Sequence, residues 1–238
     1  MRIIIAGFFV LILTTLMGQN TRVYNKNLEI VSSVEEYTKQ LQENPNFELI
    51  DLEDFIPGLV LDIRYATENN FTHQKVYKSP KAFVRWPVAK SLAFVQEELA
   101  KQNLGLKIFD AYRPYAATVL FYEIYKDTTF VASPWSGSRH NRGAAVDLSI
   151  VDLETGEEIQ MPTGFDDFTE VASPDYSKLP KNVLENRELL INTMQKHGFK
   201  VYEAEWWHYD FVGWQEFPLM DISFEELQKQ KNIEKVFK

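Results

Sequence analysis

The chain has 238 residues, 45% of them hydrophobic and 25% charged, which suits a protein with a full buried core and excludes disordered, collagen-like and coiled-coil classes. Lys and Arg total 25 against 34 Asp and Glu, for a net charge of −9, and no basic run could follow a phosphate backbone, which argues against a nucleic-acid partner. There is no cysteine, so disulfides, thiolate nucleophiles and Cys-held zinc are excluded together, and any metal must be held by His, Asp or Glu.

The chain opens with Met1-Arg2, an apolar run from Ile3 to Met17 and a polar exit at Gln19-Asn20. This pattern reads as an export signal over residues 1–18, with export to the periplasm or the extracellular space. The other reading, an uncleaved anchor, needs about 20 apolar residues. No later segment offers a membrane span. From residue 19 to 238 no linker, repeat or low-complexity tract interrupts the chain, so a single domain is expected there.

Ser33 with Glu36 forms a capping box ahead of Tyr37 and Leu41, predicting a first helix. Residues 59–65 read as a strand. Pro87 opens a second helix through Val88, Leu92, Val95 and Leu99. A strand is expected over 106–109, a helix from Pro114 through Tyr125 and a strand over 144–151. A helix from Asn182 to His197 stops at Gly198, a strand follows over 199–203, and a last helix starts at Ser223, capped with Glu226. Helices and strands that alternate without a strict βαβ rhythm indicate an α+β fold.

Chemistry concentrates in two segments. In Ser138-Arg139-His140-Asn141-Arg142-Gly143-Ala144-Ala145-Val146-Asp147, a strand over 144–151 would put Ala145, Asp147 and Ser149 on one face and Val146, Leu148 and Ile150 on the other. A carboxylate so placed must be paired or metal-bound. His140 is a candidate co-ligand, and an ion pair of Asp147 with Arg139 or Arg142 is the alternative.

The second segment is Glu203-Ala204-Glu205-Trp206-Trp207-His208-Tyr209. On a straight strand Glu205 and His208 would face opposite ways, so a site containing both requires a bend, bulge or turn. The alternative is a core strand with Trp206 and Trp207 packed and His208 only hydrogen-bonded. Taken together, the segments offer His140, Asp147 and His208 as three ligands, an open fourth position for water and Glu205 as a non-ligand base, the make-up of a hydrolytic zinc site. His73 reads as a solvated loop residue, His197 as a helix-end residue, and Glu97-Glu98 and Glu225-Glu226 as solvated helix faces.

The pattern Ser138-x-His140-x-x-Gly143-x-Ala145-x-Asp147, followed by Glu205-x-Trp207-His208, resembles the paired signatures of the zinc D-alanyl-D-alanine dipeptidases of the vancomycin-resistance type, within the zinc D,D-peptidase group. Arg64-Tyr65-Ala66-Thr67 with Asn70-Phe71-Thr72 is similar to that family's N-terminal segment, and Asp110-Ala111-Tyr112-Arg113-Pro114 to its arginine motif. The resemblance spans about residues 52–212. It implies a D,D-peptidase/hedgehog-like domain whose central, mainly antiparallel sheet carries the zinc site and is flanked by helices.

By the same resemblance, His140, Asp147 and His208 would bind one Zn2+. Glu205 would act as general acid/base toward metal-bound water attacking the peptide carbonyl, and Arg113 would stabilise the oxyanion. Asp166, with Tyr65, would accept the substrate's ammonium, and Ser138 would help to hold its carboxylate. The implied substrate is the free D-Ala-D-Ala dipeptide. An exported enzyme could instead trim peptidoglycan stems as a D,D-carboxypeptidase, and a non-catalytic zinc-bearing wall-binding module is a third possibility.

Overall fold

A computed structural model describes the backbone of residues 24–236 and the side chains of residues 24–230. The expected export signal over 1–18 lies outside the described residues. No described helix is long and apolar enough to cross a membrane.

The first helix, α1 (Val34–Glu43), starts where Ser33 Oγ accepts from Glu36 N–H at 3.2 Å. A one-turn helix α2 (Leu52–Phe55) and the helices α3 (Trp86–Ala100), α4 (Tyr115–Ile124), α5 (Lys181–Lys196) and α6 (Phe224–Val236) complete the set. The expected helices therefore all form, with ends shifted by a residue or two. Pro114 caps α4 and Pro180 caps α5, where a missing N–H costs nothing.

The central sheet has five strands: β3 (Val60–Leu61), β5 (Leu104–Asp110), β6 (Ala145–Asp152), β7 (Phe199–Tyr202) and β8 (Glu205–Phe211), in the order β3-β5-β6-β8-β7. Only β3 runs parallel to its neighbour, so the sheet is mainly antiparallel, as expected. Two small ribbons flank it. β1 (Ile30–Val31) pairs with β9 (Leu219–Met220), and β2 (Leu49–Asp51) with β4 (Phe83–Arg85).

The strand expected over 59–65 is shorter than its apolar pattern suggests. Val60 and Leu61 pair with Lys107 and Ile108. The chain then curls into a 3-10 turn at Arg64–Ala66, and the Tyr65 carbonyl accepts from Val76 and Tyr77. Helices α3 and α5 pack together against one face of the sheet, α3 on β5 and α5 on β7 and β8. Val146 and its cross-strand partner Tyr209 face that side, near Arg187 of α5. Asp147 and His208 take the other face by strand alternation. His197 ends α5, with Nε2 2.8 Å from Glu98 Oε2, and Lys196 Nζ also reaches Glu98, at 2.8 Å. Glu98 is thus ion-paired across two helices and is not the simple solvated residue expected. Glu97 and His73 are exposed.

A candidate metal centre in an aromatic pocket

Register assembles the site. Asp147 on β6 lies opposite His208 on β8 and opposite Asp110 on β5, so three chemical side chains form a row across adjacent strands. His140 comes from the 3-10 turn His140–Arg142, which Gly143 ends at φ 65. A Cβ on Gly143 would also lie 2.7 Å from Leu49 Cδ2, so both the left-handed backbone and the close approach require glycine.

His208 Nδ1 lies 3.0 Å from Asp147 Oδ1 and 3.2 Å from His140 Nε2, and the latter is 3.4 Å from Asp147 Oδ1. Bonds of about 2.0–2.1 Å to a tetrahedral ion set its ligands roughly 3.3 Å apart, so these donors fit one small divalent cation. The rings are aimed from behind: His140 Nδ1 pairs with the Ala111 carbonyl at 2.7 Å, and His208 Nε2 with Asp210 Oδ1 at 3.0 Å. Such partners fix each ring's tautomer and orientation. All three residues are buried. Burial opposes charge on His208, yet Asp147 and Asp210 raise its pKa to about 10, and burial likewise opposes charge on Asp147, which the two imidazoles hold well below the usual carboxylate range. The cluster strongly favours positive charge. Asp147 makes no pair with Arg139 or Arg142: Arg139 pairs with Asp210 at 3.3 Å, and Arg142 donates to the Phe217 carbonyl.

The irregularity anticipated between Glu205 and His208 is present. Val201 lies opposite Tyr209 but Tyr202 lies opposite Glu205, so extra residues bulge from β8. Glu205 Oε2 thereby comes within 3.8 Å of His208 Nδ1. Burial, aided by the charges of Asp147 and Asp166, raises Glu205 to about 8. The strand reading held as well, since Trp206 and Trp207 are both packed in the core.

Arg113 is buried and donates to Asp110 Oδ2 through Nε at 2.9 Å and Nη2 at 2.7 Å, and Tyr77 Oη donates to the same carboxylate at 3.0 Å. Its guanidinium lies over the rings of Phe121, at 4.8 Å, and Tyr65, at 5.4 Å. Asp166 takes a left-handed backbone, φ 62, and accepts from Tyr65 Oη at 2.9 Å and from the Phe71 N–H at 3.3 Å. Burial raises it to about 7. Ser138 is buried, and its Oγ accepts from His140 N–H at 3.1 Å.

All eight residues singled out from the sequence, Tyr65, Arg113, Ser138, His140, Asp147, Asp166, Glu205 and His208, line a single pocket of about 370 Å³. Sequence reasoning missed Asp110, Asp210 and Tyr77. Asp110 stands in the arginine motif three residues before Arg113, and Asp210 two residues after His208 on one strand face, so both left a signal; Tyr77 left none.

The model of a D-Ala-D-Ala dipeptidase family, Peptidase M15, matches residues 45–229. The chain belongs to that peptidase family. It is 31% identical over 177 residues to a D-alanyl-D-alanine dipeptidase of Escherichia coli K12, covering 74% of this chain and 91% of that protein. A D-alanyl-D-alanine dipeptidase of Enterococcus faecium is 32% identical over 178 residues, or 66% of this chain and 88% of that protein. Among solved structures, the vancomycin resistance D,D-dipeptidase VanXYg in complex with a D-Ala-D-Ala phosphinate analogue matches with TM-score 0.36 and 15% identity, over 78% of this chain and 70% of that one. As a family member the chain is a metallopeptidase, and its family match extends beyond the span of the motif resemblance at both ends.

Proposed function

We propose that the protein is an exported zinc dipeptidase that hydrolyses free D-Ala-D-Ala to two D-alanines, with His140, Asp147 and His208 holding the zinc. The observation that carries this reading is the meeting of that donor set with Glu205, Arg113 and Asp166 in one pocket. An ion bound there supplies Lewis acidity and makes water more acidic. Glu205 takes a proton from the attacking water and passes it to the leaving amine. Its carboxyl, with Oε2 3.8 Å from His208 Nδ1 but outside the donor set, is placed for that double duty. Arg113, charged and held by Asp110, stabilises the carbonyl oxygen as negative charge develops on it.

Asp166 gives the reading its substrate. A buried carboxylate that pairs with a free ammonium disfavours a blocked or extended amino end, because the carboxylate would then lose its counter-ion. Ser138 receives the carboxylate end. The test is alanine release by the zinc-loaded protein, residues 19–238, from D-Ala-D-Ala and from N-acetyl-D-Ala-D-Ala at equal concentration. Release from the free dipeptide alone is expected; preference for the blocked peptide would make the protein a wall carboxypeptidase.

A further inference from the structure

The pocket is chemically lopsided. Its carboxylate end is polar, built from Ser136, Gly137, Ser138 and Arg139, whereas the end beyond Asp166 is a wall of phenylalanines. Phe130 and Phe168 stack with ring centroids 5.0 Å apart, Phe168 meets Phe71 at 5.3 Å, and Phe71 meets Phe121 at 5.1 Å. Phe71, Phe130 and Phe168 are only half-buried, so ring surface remains open to the pocket. Phe71 is also the residue whose N–H holds Asp166 Oδ2, so the wall begins beside the ammonium acceptor. About 370 Å³ lies within the range of sites that hold drug-sized ligands, ~300–1,000 Å³, and is more than two methyl side chains need.

We infer that this wall is a subsite for the side chain of the substrate's N-terminal residue, and that the enzyme accepts D,D-dipeptides whose first residue is large and apolar, such as D-Leu-D-Ala and D-Phe-D-Ala, at least as well as D-Ala-D-Ala. The inference rests on the dipeptidase reading above. An ammonium held by Asp166 fixes the adjoining α-carbon next to Phe71, and a branched or aromatic substituent there covers ring surface that a methyl group leaves in water. At the carboxylate end the large ring is Trp214, over which the guanidinium groups of Arg139 and Arg142 lie at 5.1 and 5.4 Å, which assigns the preference to the first residue and not the second.

The test compares kcat/KM of the zinc-loaded protein for D-Ala-D-Ala, D-Leu-D-Ala and D-Phe-D-Ala, in the native chain and in Phe130→Ala and Phe130→Tyr. The bulky substrates should match or exceed D-Ala-D-Ala. Phe130→Ala should lower the ratio of D-Phe-D-Ala to D-Ala-D-Ala turnover about tenfold, the low end of what a few methylenes are worth in an apolar pocket, and Phe130→Tyr should restore it. Cleavage of D-Ala-D-Ala with rates at least a hundredfold lower for both bulky dipeptides would overturn the subsite and leave the dipeptidase reading standing. If no dipeptide is cleaved, the dipeptidase reading falls, and calorimetric titration of D-Phe-D-Ala and D-Ala-D-Ala into Glu205→Gln decides the subsite: tighter binding of D-Phe-D-Ala upholds it, equal or weaker binding overturns it.

Discussion

Asp110 receives both Nε and Nη2 of Arg113 on one oxygen, and it is also the cross-strand neighbour of Asp147. One carboxylate thus connects the guanidinium to the row that carries the metal donors. On the proposed mechanism Asp110 is a positioning residue that acts by holding Arg113. Asp110→Asn keeps the shape but weakens the fork, and kcat should fall about a hundredfold, the cost of small misplacement at a reacting centre. The check is a double-mutant cycle. Asp110→Asn added to Arg113→Ala should cost little more than Arg113→Ala alone, and full additivity would refute the positioning role.

Glu205→Ala should keep zinc, because Glu205 is not one of the three donors, and should lose at least ~10²-fold in kcat, the least a general acid–base supplies. His208→Ala should lose both metal and activity. Metal content by mass spectrometry beside alanine release separates the two, and unimpaired turnover in Glu205→Ala would sink the mechanism.

Asp210 orients His208 from the side away from the metal donors, with Asp210 in turn held by Arg139. Asp210→Asn should weaken zinc binding roughly 10–100-fold. Competition against a chromophoric chelator measures this. An unchanged dissociation constant would mean that strand packing alone orients the ring.

The Asp166 carboxyl is raised to about 7 by burial, yet an ammonium ligand requires its ionised form. Below pH 7 binding must therefore expel a proton, so dipeptide affinity should drop about tenfold per pH unit beneath 7 and level off above it. Folding stability carries the matching sign. The folded chain retains a proton that the unfolded chain has released, so the contribution of Asp166 to stability falls as pH rises from about 4 to about 7. Calorimetry in buffers of differing ionisation enthalpy reports the released proton, and affinity that stays flat between pH 5.5 and 8 would contradict the pairing.

Gly143→Ala imposes a side chain on a left-handed backbone and drives it against Leu49. The two effects should destabilise the fold by about 2 kcal/mol or more. That corresponds to a fall of roughly 4–8 °C in Tm for a chain of this size, with zinc affinity falling too because the turn carries His140. A thermal melt with and without zinc tests both.

Much of the site was legible because its signals are local. The alternation of residues 144–151 separated Asp147 from Val146, and the odd spacing of Glu205 and His208 demanded a break in the strand, which the register of β7 with β8 supplies. Asp110 was visible beside Arg113 in its motif, but its place next to Asp147 was not, because that neighbour is set by a long-range register with its own irregularity between Ile108 and Asp110. The Ala111 carbonyl behind His140 and the Tyr77 hydroxyl on Asp110 depend on how distant loops pack, which no local pattern records. The run at 59–65 misled for the opposite reason: its β-branched and aromatic residues suit a strand, but after Asp62, whose N–H still donates to the Ile108 carbonyl, the 3-10 turn at Arg64 ends pairing with β5.

The three candidate donors come from two distant stretches of the chain: His208 lies 68 residues from His140 and 61 from Asp147. An unfolded chain cannot gather them without paying the entropy of closing those loops. Only the native alignment of β6 with β8 presents the chelate, so an ion held there fastens the middle of the sheet like a clasp and favours the folded state by mass action. On the proposed zinc reading, the same three side chains that would equip the pocket for chemistry would also make cation supply a determinant of how much of the chain stays folded.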